Sequence, residues 1–300
     1  MTTPSTRRVT KALIPAAGRG TRFLPLTKAV PKELAPIVTT PALEFVVAEA
    51  ASVGITDVLM VVSPGKGAIN TYFSPEAELE QALAAKGKDA ELASIQRGER
   101  LARFSYVDQL EPKGLGHAIG HGEQFANGEP VAVLLPDDLV DERDELLGPM
   151  LDVYAEHGGI VLGLLDVGPV EISKYGCVVP APGADTGADV VPLVDLVEKP
   201  TAAEAPSTLA IIGRYVLPPE IFEALRDTPP GALGEIQITD AMKRLCAAGV
   251  PTHGVVFRGR RYDTGDRLDY VKAVVQLATR HPAIGADFRA WLRQYEVDAD

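Results

Sequence analysis

Short apolar, β-branched runs alternate along the chain with stretches whose apolar positions follow helical spacing. The runs 9–15, 57–63, 104–107, 131–135, 160–167, 190–197, 209–217 and 253–257 predict strands. Between the first two, residues 42–53 set Leu43, Val46, Val47, Ala50 and Val53 on one helical face, and Gly54 supplies a stop. Helices are also predicted at 75–85, 90–102, 118–125, 145–157, 219–226 and 236–248. Strands alternating with helices predict an α/β fold, Rossmann-like, with a mixed, mainly parallel sheet flanked by helices.

Three segments break the alternation. Residues 75–103 read as a helical insertion before the third strand. Residues 166–200, rich in Val, Pro and Gly, predict added antiparallel strands over one end of the sheet. Residues 266–300 read as two helices with a break near His281-Pro282. Leu268, Val271, Val274, Val275 and Ala278 give the first of these an apolar face, for packing on the domain or against another subunit.

Composition narrows the classes of function. The 300 residues are 46% hydrophobic and 23% charged, as in a soluble globular protein, and 29 basic against 41 acidic residues give a net charge of −12. That charge argues against nucleic acid or an anionic membrane as a general partner. The N-terminal stretch lacks the apolar core of a signal peptide, and two cysteines make no disulfide framework, so a cytoplasmic location is expected. Yet the first 32 residues carry Arg7, Arg8, Lys11, Arg19, Arg22, Lys28 and Lys32 with no acid before Glu33. The run is either a basic arm or a local anion site on an acidic protein.

The first predicted strand ends in "AAGRGTR", a glycine turn of the kind that lets backbone N–H groups approach an anion. Phe23 stands where a dinucleotide fingerprint needs its third glycine, and no Gly-Lys-Ser/Thr follows, so neither that fingerprint nor the P-loop is complete. Pro25, Pro31 and Pro36 predict a stiff, extended loop carrying Arg22, Lys28 and Lys32. Asp137 and Asp138 follow the apolar run "VAVLL" at the carboxyl end of a strand, where open α/β sheets place their ligands. Only one of two successive strand residues faces a given side, so one carboxylate is expected in a site or both in a solvated turn. His117 and His121 are four residues apart but lack the glutamate of a zinc-protease helix.

"AAGRGTRFLP" followed by "PKEL" resembles the signature of the sugar-phosphate nucleotidylyltransferase family. Further landmarks stand in the family's order: "LGHA" at 115–118, "LPDD" at 135–138, "YG" at 175–176, "VEKP" at 197–200, "AIIGRYVL" at 210–217, "GEIQITDA" at 234–241 and "YDTG" at 262–265. The likeness covers nearly the whole chain. Two departures stand out: Thr39-Thr40-Pro41 replaces a frequent Asp-Lys-Pro, and the second Asp of "LPDD" is commonly another residue.

The resemblance implies transfer of a uridylyl group from UTP to glucose 1-phosphate, giving UDP-glucose and pyrophosphate, with Mg²⁺ as cofactor. It implies a nucleotide-binding half at about 1–140, a sugar-binding half at about 141–265 with a small antiparallel part, and C-terminal helices at 266–300. Arg22 and Lys32 would face the leaving pyrophosphate and Lys199 the phosphate of glucose 1-phosphate. Ala17, Gly18, Gly20, Thr21, Glu33, Gln109 and Gly114 would hold the nucleotide, with Gln109 on the uracil edge. Gly176, Glu198 and Gly213 would meet the sugar. Asp137 and Asp263 would be the metal ligands, leaving Asp138 facing away and of little consequence. A homodimer or homotetramer is expected, with no nucleic-acid or membrane partner. The same chemistry with another nucleotide or sugar 1-phosphate (dTTP or ATP) and a noncatalytic sugar-nucleotide sensor are the alternatives. An NAD-dependent dehydrogenase is disfavoured by the missing glycine and the row of cations.

Overall fold

A computed structural model of the chain describes residues 8–231 and 234–295. Arg7 and residues 296–300 lie outside them. The strands are β1 (Lys11–Pro15), β2 (Pro36–Ile37), β3 (Thr40–Pro41), β4 (Asp57–Val62), β5 (Arg103–Asp108), β6 (Val131–Leu134), β7 (Asp138–Val140), β8 (Ile160–Asp166), β9 (Gly176–Pro180), β10 (Val190–Glu198), β11 (Leu209–Leu217), β12 (Thr252–Val256) and β13 (Arg261–Asp263). The helices are α1 (Ala42–Ser52), α2 (Gly67–Tyr72), α3 (Ala77–Ala85), α4 (Asp89–Glu99), α5 (Leu115–Gly120), α6 (Glu123–Ala126), α7 (Leu147–His157), α8 (Gly168–Glu171), α9 (Glu220–Arg226), α10 (Ile238–Ala247), α11 (Arg267–Ala278) and α12 (Gly285–Gln294).

A nine-stranded sheet runs β5-β4-β1-β6-β11-β8-β12-β10-β9. It is parallel from β5 to β6, whereas β11 enters antiparallel between β6 and β8. The sheet is therefore mixed, its parallel pairs concentrated where β1 is central. Alternate residues of β1 feed two cores: Ala12 and Ile14 pack with α1 and α7, and Leu13 packs with α5, α9 and α10. Each Leu or Ile so buried contributes about 1.5–3 kcal/mol. All nine residues of β11 are buried. As expected, 75–103 forms a helical pair, α3 and α4, and 166–200 supplies an antiparallel pair, β9 with β10.

Two expectations need correction. The helix expected at 118–125 begins earlier and breaks into α5 and α6. At the break, Gly122 lies so close to Leu13 that a Cβ would meet its side chain at 2.5 Å. The apolar face of α11 is also rotated from the predicted one. Ala273 and Ala278 are buried, and Tyr270, Val274 and Leu277 pack on Ile37, Leu139 and Tyr262. Leu268 and Val271 are 63% and 55% exposed. The docking surface selected the stripe that fits Ile37 and Tyr262, which keeps Val274 and Ala278 of the predicted face and leaves Leu268 and Val271 outward.

Candidate active site

The carboxyl ends of β5, β4, β1 and β6 open onto the loop that follows β1. This segment is wound and not extended as the prolines predict: three 3-10 turns occupy Thr21–Phe23, Leu26–Lys28 and Lys32–Leu34. The prolines fix φ near −65°, which a 3-10 turn accommodates as readily as an extended chain. Gly20 turns the chain at φ 63°, and Thr27 Oγ1 donates to its carbonyl at 2.8 Å. The N–H groups of Ala17, Gly18, Arg19, Gly20 and Thr21 donate to no backbone acceptor among the described residues. Such a run of free donors is what an anion needs.

The N-terminal basic run divides along β1. Lys11, at the amino end, pairs with Glu129 at 2.8 Å and lies away from the site. Arg19, Lys28 and Lys32 line a cavity of about 420 Å³ together with Thr21 and Lys66. Arg22 reaches Gly265 O at 3.4 Å.

Lys66 is the principal residue the motifs did not single out. Its ammonium donates to Ala16 O at 2.6 Å, to Gly18 O at 2.7 Å and to both oxygens of Glu33 at 2.8 and 2.9 Å. Glu33 has a fully buried side chain, so its expected contact with the nucleoside is replaced by a buried ion pair that fixes the loop. The available signal was position: "SPGKG" sits at the carboxyl end of β4, beside β1.

Asp137 and Asp263, 126 residues apart, meet because β7 and β13 pair antiparallel, with Thr264 N donating to Asp137 O at 2.7 Å. Both carboxylates flank Gly265, where a Cβ would meet Asp137 Oδ2 at 2.7 Å and Asp263 Oδ1 at 3.0 Å. Lys32 hydrogen-bonds Asp137 Oδ2. Burial pushes the Asp137 carboxyl up, but the charge and hydrogen bond of Lys32 outweigh it and hold the group below the usual carboxylate range. Burial first, and then the Asp137 charge, push Asp263 above that range. Two crowded hard-oxygen donors, one already drawing in an ammonium, fit a site for Mg²⁺ completed by phosphate oxygens and water.

Asp138 does face away, but it is not idle. It is 3% exposed, accepts from Gly213 N at 2.7 Å and pairs with Arg261 Nε at 2.8 Å. Gly213, expected beside the sugar, is instead pressed against this residue: a Cβ there would meet Asp138 Cβ at 2.6 Å. Next to it, the fully buried Arg214 pairs with Glu49 and donates to Asp138 O at 2.7 Å, clamping the turn that presents Asp137. A lone arginine in an apolar strand was its visible signal.

Gln109 and Gly114 come together as expected, Nε2 lying 3.3 Å from Gly114 O, and both line a cavity of about 360 Å³ with Ala17 and Gly18. On the other side, Glu198 pairs across the ladder with Gly176, where a Cβ would lie 3.3 Å from Glu198 Oε2, and accepts from Thr239 Oγ1 at 2.7 Å. The residue before a proline ordinarily takes an extended backbone, but Lys199, before Pro200, does not. It turns at φ 42°, its N–H donates to Tyr175 O at 3.2 Å, and its Nζ comes within 3.5 Å of Glu198 Oε1. The ladder ends there, and the two side chains come to share a side. A non-glycine residue held in the left-handed region carries strain, which is common where a ligand is gripped.

A sheet with a free-donor loop, lysines and paired carboxylates at its carboxyl ends has the layout of a nucleotide-transferring enzyme. The nucleotidyl transferase family profile matches residues 11–280, and the chain belongs to that family. Within it, the chain falls among the UTP–glucose-1-phosphate uridylyltransferases. It is 42% identical to the one from Staphylococcus epidermidis over 291 residues, spanning 97% of this chain and all of that protein. It is 43% identical to the uridylyltransferase YngB of Bacillus subtilis over 286 residues, 95% of each chain. A UTP-bound UGPase from Acinetobacter baumannii superposes with a TM-score of 0.88 at 35% identity, over 96% of this chain and all of that one. A UDP-glucose pyrophosphorylase complexed with UDP-glucose gives 0.79 at 37% identity, over 91% and 100%.

Proposed function

We propose that this enzyme transfers the uridylyl group of UTP to glucose 1-phosphate in a magnesium-dependent reaction, releasing pyrophosphate. The observation that carries the proposal is the meeting of Asp137, Asp263 and Lys32 beside the loop of free N–H groups. The full-length likeness to uridylyltransferases supports the choice of substrates.

The attacking group is a phosphate monoester oxygen, ionised near neutral pH because its second pKa is about 6. No general base is needed. The oxygen bonds to the α-phosphorus of UTP as the bond from that phosphorus to the pyrophosphate oxygen breaks. The obstacle is the approach of two polyanions, which positioned cations lower. Arg22 and Lys32 lie on the side of the departing pyrophosphate, and Lys199, at the far corner, takes the phosphate of the sugar. Gln109 reads the base, and Glu198 with the Gly176 backbone takes the sugar hydroxyls. Mg²⁺, held by Asp137 and Asp263, would supply further charge neutralisation to the phosphates.

Pyrophosphate release from each nucleoside triphosphate with glucose 1-phosphate, with Mg²⁺ and with EDTA, tests the proposal. UTP with Mg²⁺ should be used best. Equal release in EDTA would remove the metal, and a preference for a purine nucleotide would remove the base assignment. An assembly of two or four copies belongs to the same proposal. The exposed Leu268, Val271, Trp291 and Tyr295 support it, and a monomeric mass by sedimentation would refute it.

A further inference from the structure

Gln109 is 5% exposed and sits at the carboxyl end of β5, its backbone N–H donating to Val62 O at 2.7 Å. Its side-chain amide has two partners. One is Gly114 O at 3.3 Å, and a carbonyl oxygen only accepts, so the Gln109 atom that faces it is the NH₂ group. The same Nε2 lies 2.8 Å from Nδ1 of His117, in the first turn of α5. With both amide hydrogens directed this way, His117 Nδ1 must be the acceptor and its proton must sit on Nε2. No partner engages Gln109 Oε1 among the described residues, and the residue lines the cavity of about 360 Å³.

We infer that His117 is a positioning residue for base recognition: as a neutral Nε2–H imidazole it locks the Gln109 amide so that only Oε1, an acceptor, is presented to the base. The inference rests on Gln109 reading the base. A freely rotating glutamine could offer either end, accepting from the N3–H of uracil or donating to the bare N3 of cytosine. The locked amide accepts from the N3–H that uracil carries and meets the bare N3 of cytosine with lone pair against lone pair. His117 is thereby a discriminator between UTP and CTP without touching either. Its surroundings favour the neutral ring: burial, then His121 and Lys113, hold it below the usual histidine range against the weaker pull of Glu111. His121 packs edge-on against the ring at 4.8 Å between centroids.

The test compares kcat/KM for UTP and CTP in the parent, Gln109→Ala, His117→Ala and His117→Asn, whose Oδ1 occupies about the place of Nδ1. The preference for UTP should fall about tenfold or more in His117→Ala, largely through improved use of CTP, and should be substantially retained in His117→Asn. If Gln109→Ala leaves the preference intact, the base assignment itself fails and this inference with it. If Gln109→Ala abolishes the preference while His117→Ala keeps it, the positioning role alone is overturned. Imidazole ¹⁵N–¹H correlation spectra of the unliganded parent give a reading that does not depend on any variant folding. The Nε2–H tautomer at His117 is expected, and a protonated Nδ1 there would overturn the lock.

Discussion

The two ends of the proposed cleft are built differently. At the nucleotide end, the loop after β1 is tied down from outside: Lys66 bridges Ala16 O, Gly18 O and the buried Glu33, and Lys32 is held by Asp137. At the sugar end, Lys199 projects from a turn with its side chain 61% exposed, its nearest carboxylate 3.5 Å away. A triphosphate with three linked phosphate groups rewards donors fixed in advance, since none has to be ordered on binding. A single sugar phosphate can be met by one exposed cation.

The largest effect should come from cutting the tie at the nucleotide end. Lys66→Met leaves Glu33 buried and unpaired, which should cost about 3–5 kcal/mol of stability. Adding Glu33→Gln should restore part of it. Chemical denaturation reads both, and the KM for UTP should rise more than that for glucose 1-phosphate. If the two KM values rose equally, the ends would not be independent.

Next is the carboxylate pair. Asp137→Asn should lower turnover on the order of 10²-fold, roughly 3 kcal/mol of transition-state stabilisation, and weaken the dependence on Mg²⁺. Its melting temperature should change little, because the lost Lys32 partner offsets the relief of Asp263. Asp138→Asn should do the opposite, lowering the melting temperature through Arg261 and Gly213. A kinetic loss in Asp138→Asn larger than in Asp137→Asn would reverse the assignment.

Lys199→Ala should raise the KM for glucose 1-phosphate about tenfold, the scale of a charge-assisted hydrogen bond at an exposed site, with melting and the KM for UTP near the parent values. Equal shifts for both substrates would make Lys199 a general surface charge. The smallest effect lies outside the cleft. Arg260 holds Asp144 down to about 2, from an ordinary 3.8, chiefly by hydrogen bonding. A depressed carboxyl contributes stability that is full above its unfolded pKa and is lost as pH falls through the folded one. Asp144→Asn should therefore be slightly less stable than the parent above about pH 4, with the difference vanishing towards pH 2 in acid-denaturation curves.

The apolar pattern alone showed the order of the longer strands and helices, because apolar period and strand length are local properties. β11 was readable end to end for that reason: nine residues, all buried, bounded by a loop and Pro218-Pro219. It also placed the chemistry at strand ends: the loop after β1, Gln109 after β5 and Asp137 after β6. Partners were set by the folded chain. Glu33 reads as an ordinary site acid until Lys66, 33 residues away, is seen to bury against it. Gly213 reads as a sugar contact until Asp138 fills the space above it. Lys199 reads as extended until the end of the β9–β10 ladder turns it. Asp137 and Asp263 need β7 and β13, each three residues long and below the length at which a pattern can be seen. The physical reason is the same in each case: propensity and periodicity act along the chain, whereas burial, ion pairing and amide orientation depend on which distant segment folding brings alongside.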